Sequence, residues 1–301
     1  MNSQVYLALY TLVTCLGAGV LGFQGAACVR WRSERLNKAS AIVAGALALA
    51  GIALFALRLG RPERLFGGFA NLTSGVTLAL YGVVLFVAVC VAMLVMSSRT
   101  EDGSVPRWCG IAAIVVSVLL VAAMTCGAVL SAKPGAGLYT LMALYLGSAL
   151  PFGSAAHLVL GALLKDEAAC KTGRATLAVC AVFAGVGLVS YLVWYGLDTQ
   201  AAAQATKSTY SMSTHMIGGA KQVVATDKLA VVMSGAQAVL FWGGSVACGI
   251  VAPLVCGVAA LVVGKGDVLE KRGVLLVLGL AALVCALAGG WCLRLCLATL
   301  V

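Results

Sequence analysis

Long apolar runs separated by short polar stretches set the pattern of this chain. They read as eight candidate spans: Val5–Cys28, Ala39–Leu57, Gly75–Met96, Cys109–Leu130, Leu138–Leu164, Ala175–Leu197, Leu229–Val263 and Val274–Leu300. Each reaches the roughly 18 residues that let a helix cross about 30 Å of hydrocarbon. Leu, Ala and Val follow one another without the alternation a barrel strand requires, so the helix is left to satisfy the backbone in lipid. The seventh run is the odd one: 35 residues would make a helix of about 52 Å. It must project into water or kink at Pro253, which has no N–H to give the preceding turn. The pattern predicts an all-α polytopic membrane protein, a single domain over residues 1–301 folded as a bundle of eight transmembrane helices.

Composition agrees. Of 301 residues, 62% are hydrophobic and only 10% charged, against about a quarter charged in soluble domains. Mean hydropathy is +1.06. The net charge of +10 is therefore read by location, not as a nucleic-acid signal. If the N-terminus lies outside, inner loops hold twelve of the twenty Lys and Arg, an excess that favours this orientation. Both termini then lie outside, and Arg294 counts among the eight outer basic residues. The N-terminal run carries its positive charge after the apolar stretch, unlike a secretory signal, and reads as a retained first span. Most of the twelve cysteines sit inside apolar runs as small hydrophobes, and no C-x-x-C pair suggests a metal or cluster site.

Two outer segments stand out. Residues 58–74 hold Arg58, Arg61, Glu63 and Arg64 between two apolar runs, and residues 198–228 form the longest connection. Three arginines on the side that topology disfavours point to partner docking or ligand chemistry, with headgroup binding as the simpler alternative. The inner loops are short, so a soluble partner belongs outside.

The stretch LRLGRPERLFGGFAN, Leu57 to Asn71, resembles the L-H-L-G-x-P-x-R-x-F loop of the DMSO reductase anchor subunit family (DmsC type). That family lies within the NrfD-like quinol-interacting membrane subunits. Leu57, Leu59, Gly60, Pro62, Arg64 and Phe66 stand in the pattern. LSAKPGAGLYTLMALYLGSALPFGSAAHLVLGALL, Leu130 to Leu164, is similar in its outer-loop proline and its helix with a Gly-rich middle. The resemblance implies a bacterial cytoplasmic-membrane anchor with no haem and no iron–sulfur cluster of its own. Such an anchor holds a ferredoxin-like iron–sulfur subunit and a molybdopterin catalytic subunit on the outer face. Menaquinol is its bound substrate, and the electrons serve anaerobic reduction of a terminal acceptor.

The residues suit that chemistry. A cation beside a hydroquinone favours its anion. Arg58 ends the second span at a suitable depth, and Arg61 and Arg64 follow at steps of three, which share one helical face. Glu63 can take a proton or pair with an arginine. Tyr10, Tyr139 and Trp194, with Tyr6, lie at similar depth as ligands or as interfacial belt residues. Two positions depart from the family pattern: Arg58 stands where a histidine is usual, and Leu80 where an acidic residue is usual. Arg cannot relay a proton as imidazole does, which leaves Glu63, Asp198, water or a partner for proton release. The two histidines, His157 in the fifth span and His215 in the long connection, are too few and too far apart for a bis-histidine haem. A secondary transporter or exporter of a small solute is the rival reading. It needs ionisable groups near the midplane or repeated halves, for which Gln237, Pro253 and the lack of a visible half-to-half repeat offer little.

Overall fold

Hydrocarbon leaves each apolar run no backbone partner but itself, and among the described residues the computed structural model shows eight helices long and apolar enough to span a bilayer. Residues 3–30, 35–59, 75–100, 104–132, 138–213, 232–264 and 270–300 are described. The helices are α1 (Ser3–Arg30), α2 (Arg35–Leu59), α3 (Gly75–Arg99), α4 (Arg107–Ala132), α5 (Leu138–Leu164), α6 (Glu167–Ser213), α7 (Val239–Val263) and α8 (Arg272–Leu300).

Helices α1 to α4 form a ring: α1 packs on α2 and α4, and α3 touches both of these. Helices α5 to α8 repeat the same order, with α5 on α6 and α8, and α7 touching both. The half-to-half correspondence that the sequence hides is thus present in the packing. It escapes the sequence because it lies in neighbour order, while the side chains are interchangeable Leu, Ala and Val. The two rings meet where α1 faces α5, the two most buried spans.

At that seam the backbones touch. A Cβ on Gly153 would lie 2.7 Å from the carbonyl carbon of Gly19, and one on Gly19 would lie 2.9 Å from the amide nitrogen of Gly153. Small residues permit such approaches, and dispersion along the contact holds the helices together. One turn further, Phe23 and His157 meet with ring centroids 5.9 Å apart. His157 is buried, and its Nε2 makes no hydrogen bond among the described residues.

The α5–α6 turn is closed by local chemistry. Lys165 adopts φ 57°, the left-handed conformation that ends many helices. Asp166 N–H donates to Gly161 O at 2.9 Å, and Asp166 Oδ1 then accepts from Ala169 N at 3.1 Å, capping α6. Beyond its membrane span, which ends at Leu197, α6 continues to Ser213 through the first half of the long connection. Residues 214–228 lie outside the described part.

The seventh span resolves differently from either expectation. Turns occupy residues 234–237, and the spanning helix is only Val239–Val263, 25 residues. Its first part, Val239–Val251, is π-helical, and the α-helix resumes at Ala252, immediately before Pro253. A proline near the start of an α-segment loses no bond that the segment needs, and the change of helix type absorbs its missing donor.

Candidate functional site

The end of the bundle that carries the start of α1 also carries the ends of α2 and α8 and the start of α5. Tyr10 of α1 is buried, with its ring 4.9 Å from that of Phe55 on α2. Phe55 lies one turn before Arg58, so Tyr10 packs at the end of the helix that leads into the arginine segment. Close passage of α1 and α2 rests on Gly51, where a Cβ would lie 2.9 Å from Thr14 Oγ1. Arg58 belongs to the last turn of α2, while Arg61, Glu63 and Arg64 fall outside the described residues.

The other two aromatic candidates share this end but not one cavity with Tyr10. Tyr139 is 85% exposed at the start of α5. Trp194 is half-buried on α6, 6.2 Å from Tyr191 between ring centroids. It borders an open apolar groove of about 610 Å³ that runs along α6 from Gly185 to Leu197. Leu80, standing where an acidic group is usual, is buried in α3 as an ordinary core residue.

Sequence reasoning missed the buried charge that the described residues of this end contain. Arg294, counted above as an outer charge, is only 3% exposed and points from α8 into the seam between the two rings. Its Nε donates to Thr11 Oγ1 at 3.0 Å, Nη1 to Gly290 O at 2.9 Å, and Nη2 to Thr11 O at 3.3 Å and Ser148 Oγ at 3.5 Å. The guanidinium carbon lies 5.5 Å from the centroid of Tyr145, and the Cys15 thiol faces the same group. Helices α1, α5 and α8 are therefore joined by one fork of donors. No carboxylate pairs with Arg294 among the described residues. Arginine stays protonated, so neutral dipoles and an aromatic face stabilise a full positive charge inside the membrane. Ionisable groups held this way are costly and mark functional sites. Beside it, Ser148, Ser245, Gly289, Gly290 and Leu293 border a small, partly open cleft of about 30 Å³, the size of a water and far too small for a quinone ring. The available signal was an arginine inside a long apolar span, only seven residues from Val301. Position near the chain end disguised it as a loop charge.

A second polar cluster lies towards the opposite end, between α1 and α2. Gln24, fully buried, donates from Nε2 to Asn37 Oδ1 at 2.7 Å and accepts from Ser40 Oγ at 3.3 Å. Cys28 Sγ donates to the same Asn37 oxygen at 2.9 Å. These four side chains link the two helices, so this cluster fixes α1 against α2.

Residues 3–299 match the family model described as "Polysulphide reductase, NrfD". No curated protein matches the chain.

Proposed function

The chain belongs to the NrfD polysulphide reductase family, and from that premise we propose that it oxidises menaquinol at the outer leaflet as a DmsC-type anchor. The family match over almost the whole of an eight-span chain carries this reading. It makes the protein a quinol-interacting membrane anchor of a molybdopterin and iron–sulfur oxidoreductase complex. The finer assignment adds the direction and the place. The end of the bundle that holds Tyr10, Arg58 and the arginine segment faces outward, consistent with the excess of Lys and Arg in the opposite loops. A ferredoxin-like iron–sulfur subunit docks there and passes electrons to a molybdopterin subunit that reduces the terminal acceptor.

In this reading, a quinol enters from lipid and sets its ring near the Tyr10–Phe55 contact, one turn from Arg58. Oxidation releases two electrons to the iron–sulfur subunit and two protons to the outer water. Arg58, Arg61 and Arg64 favour the quinol anion, and Glu63 or Asp198 accepts protons on the way out. Tyr139, exposed at the rim, and Trp194, beside the groove on α6, serve at the membrane interface or along the entry path.

Gentle purification from membranes should bring iron–sulfur and molybdenum-containing subunits with the chain. A lone chain that moves a small solute in liposomes would reject the anchor in favour of a transporter. For the site, Arg58→Ala should slow quinol-dependent turnover at least tenfold and leave turnover with an artificial reductant of the iron–sulfur subunit intact. Equal loss in both assays would remove Arg58 from quinol chemistry and assign it to assembly.

A further inference from the structure

A guanidinium nitrogen withdrawn from water needs an acceptor, because leaving it unpaired costs the desolvation of a charged group. Arg174 of α6 lacks one. Its Nη1 is shielded from solvent and makes no hydrogen bond among the described residues. The side chain lies across Gly264, the residue that ends α7: a Cβ on Gly264 would meet Arg174 Cδ at 2.8 Å, and Nη1 is closer still. Three helix ends converge here. Leu177 of α6, Ala260 of α7 and Leu275 of α8 belong to one buried cluster with Leu158 and Ala162 of α5. Arg174 comes three residues before Leu177, Gly264 four after Ala260, and Arg272 three before Leu275. Each therefore stands one turn beyond the cluster, at the end of the bundle opposite the arginine segment. Helix α7 packs on both α6 and α8, so Arg174 and Arg272 flank its end from either side, and Lys271 adjoins Arg272 in an exposed turn. Nearby carboxylates do not neutralise the pair. Glu167 is joined to Lys171, Asp166 caps α6, and no ion pair takes Arg174 or Arg272 among the described residues.

We propose that Arg174, with Arg272 and Lys271, binds the phosphodiester of an anionic diacyl phospholipid at the junction of α6, α7 and α8. The site is independent of what the protein does with quinol. A phosphate oxygen supplies the acceptor that Nη1 lacks, and a guanidinium suits phosphate because its fork donates two parallel hydrogen bonds. Basic pockets between helices at headgroup level take anionic lipids in this way. The flank of the site is apolar: Val258, Leu261 and Val262 of α7 and Val274 and Val277 of α8 are exposed, a surface that acyl chains cover. A free phosphate would satisfy the guanidinium and leave that flank bare. A zwitterionic lipid would bring its own cation into a cluster that already holds three.

The test is a titration of the purified full chain, in neutral detergent, with phosphatidylglycerol, phosphatidylcholine or inorganic phosphate, bound lipid being counted by native mass spectrometry. Phosphatidylglycerol should bind at least tenfold more tightly than phosphatidylcholine, and millimolar inorganic phosphate should not displace it. Each basic residue at a membrane surface contributes about fivefold in affinity for anionic lipid, so Arg272→Gln should weaken binding by about that factor. Arg174→Gln should weaken it at least tenfold, because its contact is shielded from water and salt. Gly264→Ala, whose Cβ pushes the guanidinium aside, should also weaken it at least fivefold and serves as the second probe if Arg174→Gln does not fold. Arg107→Gln, at the start of α4 in the other ring, should stay within about twofold of wild type. Equal affinity for the two lipids, displacement by inorganic phosphate, or unchanged binding in both Gly264→Ala and Arg272→Gln overturns the proposal. Asp267→Asn, which removes the carboxylate of the segment between α7 and α8, should leave the affinity unchanged; a gain of about fivefold or more would show that this carboxylate competes for Arg174 and would overturn the assignment.

Discussion

Gly153→Ala is the sharpest probe of the seam. The added Cβ would lie 2.7 Å from the carbonyl carbon of Gly19 and 3.1 Å from its Cα, with the Gly19 oxygen closer still. Ordinary contact begins near 3.4 Å, so α1 and α5 must part by about 0.7 Å or more, and the obstacle is backbone that cannot rotate away. Overpacking of this kind costs about 1–3 kcal/mol. The separation also loosens the dispersion contacts along the most buried pair of helices. Some relaxation is available by sliding along the seam, which places the expected loss near 2 kcal/mol. Equilibrium unfolding in mixed micelles, followed by helicity, measures it. Gly273→Ala is the matched control, because a Cβ there meets nothing within 4 Å, and it should be neutral. If Gly153→Ala unfolds within about 0.5 kcal/mol of wild type, the backbone contact between α1 and α5 is not as drawn.

Other consequences concern local chemistry. Lys165 holds φ 57° at the end of α5, where a non-glycine residue costs about 1 kcal/mol; Lys165→Gly should raise stability by about that amount in the same unfolding assay, and a loss would remove the left-handed cap. Gln24→Leu removes the Nε2 donor to Asn37 Oδ1 and the Oε1 acceptor of the Ser40 hydroxyl and should cost about 1–3 kcal/mol. Adding Asn37→Leu should recover part of that loss, because an apolar pair is less costly than a half-satisfied one; simple additivity of the two would show that the amides do not meet.

How far the sequence could be read depended on what enforces each feature. Lipid enforces the spans, since an unpaired backbone group in hydrocarbon costs several kcal/mol, and six of the eight agree with the helices to within four residues at each end, while α6 runs past its span at both ends. The seventh span is overextended because hydropathy does not register a turn: Ser234 to Gln237 interrupt the helix inside a stretch whose average stays apolar. The α6 extension to Ser213 falls within the connection of residues 198–228 because its residues are polar and leave no hydropathy signal, although polar side chains in water do nothing to prevent a helix.

The candidate site divides along the same line. Tyr10, Arg58, Tyr139 and Trp194 were placed at one end by counting residues from span boundaries, and helix geometry preserves such counts. Whether they share a pocket depends on rotation about each axis and on neighbours distant in sequence, and counting is blind to both. Arg294 shows this most clearly: its main partner, Thr11, is 283 positions away. The charge count treated every arginine as a topological signal, but an arginine can enter a membrane when neighbouring helices supply acceptors for its fork. Thr11, Ser148 and the Gly290 carbonyl supply them, and two of these lie on the helices whose glycines touch. The close crossing of α1 and α5 and the anchored cation are therefore coupled. The glycines bring Thr11 and Ser148 near enough for one guanidinium to bridge them, and separating the helices would expose the charge to hydrocarbon.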